Sequence, residues 1–301
     1  MQAHNVATPR LKTLLGDYAN TRAIKQGLVS TAGFTLDYAQ VKVPNRAFKQ
    51  VVRTLDFEVA ELALVTYLQA RAYGKPLQLI PAVVGGGRHQ HYCLVANAER
   101  AELRPEQLRG KRIGIRAFAQ TTVTWVKGIL SDDYGVDLDS IEWVTAEDGH
   151  LAEFADPAGC VRESSGRSAY EGLLDGSLDA AIIGTDLPND PRLVPVIPEP
   201  HQAAAAWGKR HQLTPVNHMV VVSTVLCQER PDIVRELYRA LQESKSIARE
   251  NAPDSPDLTP FGVEPNRQAL ELLIRYAHEQ RLIPQRYAVD EIFEDFNRIV
   301  L

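Results

Sequence analysis

The sequence predicts an α/β protein of about two domains, on three observations. Its 301 residues are enough for roughly two domains of ordinary size. Strand-like and helix-like segments alternate from the start, as they do when crossover helices join the strands of a mainly parallel sheet. Near Asn97 the alternation restarts, which suits a second sheet. Alternation alone is also compatible with one large doubly wound sheet.

Taken in order, residues 12–18 read as a strand, followed by a helix that opens near Asn20-Thr21 and ends at Gly27. Apolar runs make 34–43, 57–64, 77–84 and 92–96 strands, with helices over 45–55 and 66–73 between them, the latter closed by Gly74. After the restart come a short helix and turn at 106–110, a strand at 112–115 and a helix over 121–130 that can run on to Tyr134. A strand at 141–144, a Gly- and Ser-rich loop over 155–166, a helix at 169–175 and a short buried strand at 178–184 follow. Beyond the Pro-rich stretch 188–200, residues 215–222 (PVNHMVVV) read as a strand, and 231–250, 266–279 and 289–301 as helices.

Composition narrows the function classes. A net charge of −5, with basic residues scattered rather than striped among aromatics, argues against nucleic acid as a partner. No apolar run approaches the length needed to span a bilayer, and the first residues lack an unbroken apolar segment of the secretory kind. A cytoplasmic protein without a membrane partner is the expectation. The three cysteines, Cys93, Cys160 and Cys227, show no CxxC or zinc-site spacing, and Cys93 and Cys227 sit in or beside apolar runs as core thiols do.

Ligands of open α/β sheets bind beyond the carboxyl ends of strands, where helix N-termini offer unpaired N–H groups. Three strand-to-helix turns here carry hydroxyl or amide side chains: Asn20-Thr21, Thr66, and Gln120-Thr121-Thr122. Together they suit one or two carboxylates; singly, each is equally a helix cap. The run Gly85-Gly86-Gly87 lacks nucleotide-loop spacing and either lets backbone approach a ligand or permits a turn. Arg88 after it suits bidentate carboxylate binding, and His89 suits proton transfer. If His89 and His91 stand on a strand, both rings point to one face and can hold a metal. His218 opens a strand and is either a site residue or a buried structural histidine. Trp125 shares a helix face with Thr121 and packs either on a ligand ring or in the core. Glu61 lies in the apolar stretch VAELAL, where an unpaired carboxylate is costly. It therefore needs a partner, in a ligand site or in a structural arginine.

The pieces YANTRAIKQG, DFEVAELALVTYLQARAYG, GIRAFAQTTVTWVKGILSDDYGV, PVNHMVVV and GVEPNRQALELLIRYAHEQRLIP, in that order, resemble the 4,5-dihydroxyphthalate decarboxylases, relatives of solute-binding proteins. Arg88-His89 also looks like the family's pattern; Gln90-His91, the glycine run and the tract 147–167 depart from it. The resemblance implies a type II periplasmic-binding-protein-like fold with two interlobe crossings. Residues 1–96 and 215–301 would form one lobe and 97–214 the other. It also implies loss of CO2 from a dihydroxylated aromatic dicarboxylate held between the lobes.

The chemistry needs a general acid over the ring carbon, a group for the phenol and clamps for the carboxylates. His89 or His218 is the expected acid, Arg88 and the Thr121-Thr122 helix end the clamp, and Glu61 the phenol-side group. Asn20, Thr21, Thr66, Gln120 and Trp125 complete the expected binding set. No cofactor is expected, with divalent-metal assistance through His89 and His91 as the variant. The expected partner is a small aromatic carboxylate, and a homo-oligomer is compatible with the sequence. The alternatives are a non-catalytic solute-binding or sensing protein, and another enzyme on the same fold.

Overall fold

The computed structural model describes residues 8–85, 87–184 and 187–300. Its strands are β1 Arg10–Leu14, β2 Thr35–Tyr38, β3 Val59–Ala63, β4 Leu77–Gly85, β5 Leu94–Asn97, β6 Arg112–Ile115, β7 Glu142–Thr145, β8 Val161–Arg162, β9 Ala180–Ile182, β10 Leu193–Pro195 and β11 His218–Ser223. The helices are α1 Ala19–Lys25, α2 Leu64–Ala72, α3 Thr121–Tyr134, α4 Ala169–Asp175, α5 Pro200–His211, α6 Thr224–Glu229, α7 Pro231–Glu250, α8 Arg267–Glu279, α9 Val289–Ile292 and α10 Glu294–Val300. The chain divides into two units. One holds the described residues of Met1–Gly87, Val216–Arg267 and Tyr287–Leu301; the other holds those of Arg88–Pro215 and Gln268–Arg286.

The first unit is built on a sheet of order β2-β1-β3-β11-β4. β1 runs parallel to β2 and β3, while β11 is antiparallel to both β3 and β4. β3 is buried along its whole length, as a strand covered on both faces must be. Helix α7 buries Ile233, Val234, Leu237, Ala240 and Leu241, a three-and-four spacing that makes one apolar stripe. That stripe shares a core with Leu11, Val59, Ile80 and Val222 of the sheet.

The second unit has the sheet order β10-β5-β9-β6-β7-β8. β6 is parallel to β7 and β9, and β5 is antiparallel to β9 and β10. Val95, Val144, Leu173, Leu178 and Ala181 form a core cluster there. Helix α3 starts just after β6 and ends at Gly135 in the left-handed conformation, which glycine adopts without penalty.

Several expectations are corrected. The first crossing lies between 87 and 88 rather than near 97, because β5 pairs with β9 and β10. Residues 268–286, expected in the first lobe, join the second unit, so the chain also passes over at 267/268 and 286/287. Residues 45–55 form a 3-10 turn (Pro44–Ala47) and a π-helical turn (Gln50–Thr54) instead of one α-helix; the β-branched pair Val51-Val52 is poorly suited to a regular helix. His91–Cys93 is a 3-10 turn, so the pair His89 and His91 does not stand on a strand. The alanine-rich helix α5 lies where only the end of a Pro-rich stretch is legible, with Pro200 at its first position. The helix expected over 289–301 is two short helices, α9 and α10. Gly86, Leu301 and the first seven residues lie outside the described residues.

Candidate functional site

In the first unit the site is organised by Glu61, midway along β3. His218 opens β11 directly opposite Ala63, and residues two apart on a strand share a face. Glu61 is therefore the diagonal neighbour of His218, a separation that long side chains span. His218 Nδ1 lies 2.7 Å from Glu61 Oε1. The Tyr18 hydroxyl donates to the same oxygen at 2.6 Å, and the Gly16 N–H donates to Oε2 at 2.8 Å. The Glu61 side chain is 0% exposed and that of His218 21%.

Strand pairing brings these groups together. β1 runs parallel to β3 with Leu14 opposite Ala60, so the turn that follows β1 arrives level with Glu61. The Tyr18 ring then packs so tightly that a Cβ on Gly16 would lie 2.4 Å from it and one on Gly85 2.8 Å. Both glycines are needed there for space. Burial, with the Glu61 carboxylate beside it, pushes the Tyr18 phenol well above its usual range, which keeps it a donor. A carboxylate only accepts, so Nδ1 of His218 carries the proton in this pair. The Nε2 edge of the ring points away from Glu61, and Phe48 steadies the ring edge-on at 5.2 Å. A buried carboxylate thus orients a partly exposed imidazole.

Other expected residues of this unit have internal duties. Thr21 accepts from the Tyr18 N–H at 3.0 Å and donates to the Gly16 carbonyl at 2.7 Å, so its hydroxyl closes the β1–α1 turn. Asn20 donates to the Val83 carbonyl at 2.9 Å, and its buried Oδ1 has no partner among the described residues. Thr66 is buried inside α2, whose cap is Ala63, so it is not a capping hydroxyl. Glu61 itself is fully enclosed, with both oxygens engaged. Gly87 lets the Leu258 backbone come close: a Cβ there would lie 1.7 Å from that carbonyl oxygen. The close approach serves the fold.

In the second unit Arg88 and Thr122 converge. Both come within 4 Å of the point where a Cβ on Gly184 would stand, at 3.3 Å from Arg88 Nη2 and 3.7 Å from Thr122 Oγ1. Gln120 caps the 14-residue α3 through its backbone, not its side chain, and Thr121 is buried. Trp125 is fully buried between Trp207 and Tyr276, with ring centroids 6.2 and 5.8 Å away, and so packs in the core. His89 and His91 face Trp207 at 6.4 and 5.9 Å and lie 6.4 Å from one another. Both ring nitrogens of His91 are buried without a partner among the described residues. Burial, with His89 and Arg210 adding to it, lowers His91 to about 4; burial also lowers His89. Among the described residues no group of three or more His, Cys, Asp or Glu is placed to hold a metal ion.

No family model matches the chain. A 4,5-dihydroxyphthalate decarboxylase of Comamonas testosteroni is 28% identical over 258 residues, 82% of this chain and 78% of that protein. One from Pseudomonas putida is 26% identical over 209 residues, 65% of this chain and 80% of that protein. By sequence, then, the chain is similar to these two 4,5-dihydroxyphthalate decarboxylases. The solved structures that the chain resembles include the aliphatic sulphonate-binding protein SsuA of Escherichia coli, with a TM-score of 0.56 at 11% identity over 95% of this chain and 99% of that one. The alkanesulfonate-binding protein SsuA of Xanthomonas axonopodis pv. citri gives 0.55 at 14% identity, again over 95% and 99%. At such identities the likeness is one of fold, and the fold is that of the periplasmic binding proteins. Among the described residues no helix is long and apolar enough to cross a membrane.

Tyr18 is the site residue that sequence reading misses. A glutamate inside an apolar strand announces that donors must meet it, but it does not say which. The pairing of β1 with β3 identifies them, and no local motif encodes it.

Proposed function

We propose that this chain is a carboxy-lyase that removes CO2 from a hydroxylated aromatic acid of the 4,5-dihydroxyphthalate class, with His218 as the proton donor. The observation that carries the reading is the grip of the buried Glu61 on Nδ1 of a partly exposed histidine. A histidine so held can present a proton on Nε2 in one orientation, with the carboxylate facing the charge of the imidazolium. The names of the two relatives supply the reaction class.

In this reading a ring hydroxyl para to the departing carboxylate pushes electrons into the ring, and the carbon bearing that carboxylate takes the Nε2 proton. The ring–carboxylate bond breaks, its electron pair returns to the ring, and CO2 leaves as aromaticity is restored. Solvent reprotonates His218. Glu61, expected as the phenol-side group, becomes a positioning residue together with Tyr18. Arg88 and Thr122 suit a carboxylate, the guanidinium by paired donation and the hydroxyl at a helix N-terminus. This route needs no cofactor.

Purified, chelator-treated protein is to be incubated with 4,5-dihydroxyphthalate, with and without added divalent metal, and the mixture followed by chromatography and CO2 capture. Equal amounts of dihydroxybenzoate and CO2 without metal are the expected result. Turnover only after metal is restored would replace the cofactor-free route by a metal-assisted one. Binding without product, for this acid and a panel of hydroxylated aromatic acids, would sink the enzyme reading and leave a solute-binding protein.

A further inference from the structure

The second unit contains a cavity of about 280 Å3 that the chemistry above does not use. Lys127, on α3, lines it and is only 1% exposed. Its Nζ rests on two ring faces, 3.3 Å from the centroid of Phe118 and 4.2 Å from that of Trp143. Both rings also line the cavity. The groups that favour its charged form, Cys160, Asp156 and Asp139, act through space without a hydrogen bond to it. The ring faces favour the ammonium as well, yet complete burial outweighs all of these and holds the amine well below its usual range. A lysine in that state is a nucleophile rather than a counter-ion.

We propose that this cavity is a carbonyl-binding site, in which the Lys127 amine condenses with a small neutral aldehyde or ketone to form an imine. The nitrogen lone pair closes on the carbonyl carbon while the C=O π pair moves to oxygen. That oxygen then leaves as water with two protons from the nitrogen, and a C=N bond remains. No oxidant, reductant or metal is consumed. Neutrality of the ligand follows from the walls. Asp137, Asp139 and Glu279 line the cavity too, and its arginine, Arg281, is already paired with Asp139 at 3.0 Å. Carboxylates and phosphates meet an acidic surface there, whereas a neutral carbonyl compound meets aromatic walls and an amine.

The test starts with the native protein. Benzaldehyde is equilibrated with the protein at pH 7 and at pH 9, the imine is trapped with sodium borohydride, and peptide mapping by mass spectrometry gives the labelling of each lysine. Lys127 is expected to label at pH 7 at least about tenfold more than any other lysine. Exposed lysines should gain about 100-fold on going to pH 9, as free amine rises tenfold per pH unit below the ordinary lysine value. Lys127 should gain clearly less than they do, since burial lowers its amine from the ordinary lysine value. Surface lysines labelled at pH 7 with Lys127 untouched would overturn the proposal, and so would Lys127 labelling that climbs with pH as theirs does. Strong labelling that persists in Lys127→Arg would place the reactive amine elsewhere and overturn it too.

Discussion

His218 in the first unit and His91 in the second are histidines next to strand ends, and their surroundings are opposite. His218 is partly exposed and gives its Nδ1 edge to a buried carboxylate. His91 is enclosed by Trp207 and His89, with neither nitrogen paired among the described residues. Burial without a partner disfavours the imidazolium, and His91 falls to about 4. Enclosure without a partner disfavours the charged ring, whereas an enclosed carboxylate fixes the direction of the ring it holds. The largest test of that contrast is catalytic. His218→Asn is expected to lower kcat by about 10²–10⁴-fold, the usual span of general acid catalysis, while His89→Asn changes it less than about fivefold in the same CO2-release assay. The reverse ranking would move the proton donor into the second unit.

The next test is thermodynamic. Because His91 binds a proton less readily folded than unfolded, the unfolded chain takes up more protons between the ordinary 6.5 and about 4. Stability therefore rises with pH through that window. The contribution is fully present above about 6.5 and is lost as the pH falls towards 4. Integrated over the window it amounts to on the order of 3 kcal/mol. Urea midpoints at pH 7, 5.5 and 4, for the native chain and His91→Gln, measure it. The variant should lose much of the acid-side slope; an unchanged slope would show that His91 is not held neutral by the fold.

Arg88 tests the second unit through binding. If Arg88 and Thr122 receive a carboxylate, Arg88→Met should raise KM by about tenfold or more and leave kcat within a few-fold, since a charged hydrogen bond contributes about 1.5–3 kcal/mol. A fall in kcat at constant KM would instead give Arg88 a role in the transition state.

What the sequence disclosed follows the range of each interaction. Helices α4 and α7 and strand β6 were legible to the residue, because their caps and apolar spacing are local. The π-helical turn at Gln50–Thr54 and helix α5 were not. The first depends on how the chain closes at Leu55, left-handed at φ 55°, and the second was masked by the prolines before it. At the site, Glu61 and His218 were each singled out separately. Their partnership spans 157 residues and exists only because β11 inserts antiparallel between β3 and β4. The pair His89 and His91 looked more informative because it is local, and a 3-10 turn removes the strand geometry that the metal reading assumed.

Tyr18 offers the finest division of the contrast, because it removes one donor from Glu61 while leaving His218 in place. Tyr18→Phe deletes the 2.6 Å hydrogen bond to Oε1 and keeps the ring that fills the space above Gly16 and Gly85. The cost in stability should be about 1.5–3 kcal/mol, the range for a single hydrogen bond to a charged group. With one donor fewer, Glu61 can shift and the imidazole loses part of its fixed direction. kcat is expected to fall about three- to tenfold with KM unchanged, because orientation acts on the reacting geometry rather than on ground-state binding. Gly16→Ala reaches the same bond by another route, since its Cβ would stand 2.4 Å from the Tyr18 ring and displace it. It should reproduce the kcat loss with a larger fall in melting temperature. If Tyr18→Phe left kcat untouched while Gly16→Ala lowered it, the tyrosine would serve only as packing, and the positioning of His218 would rest on Glu61 and the Gly16 N–H alone.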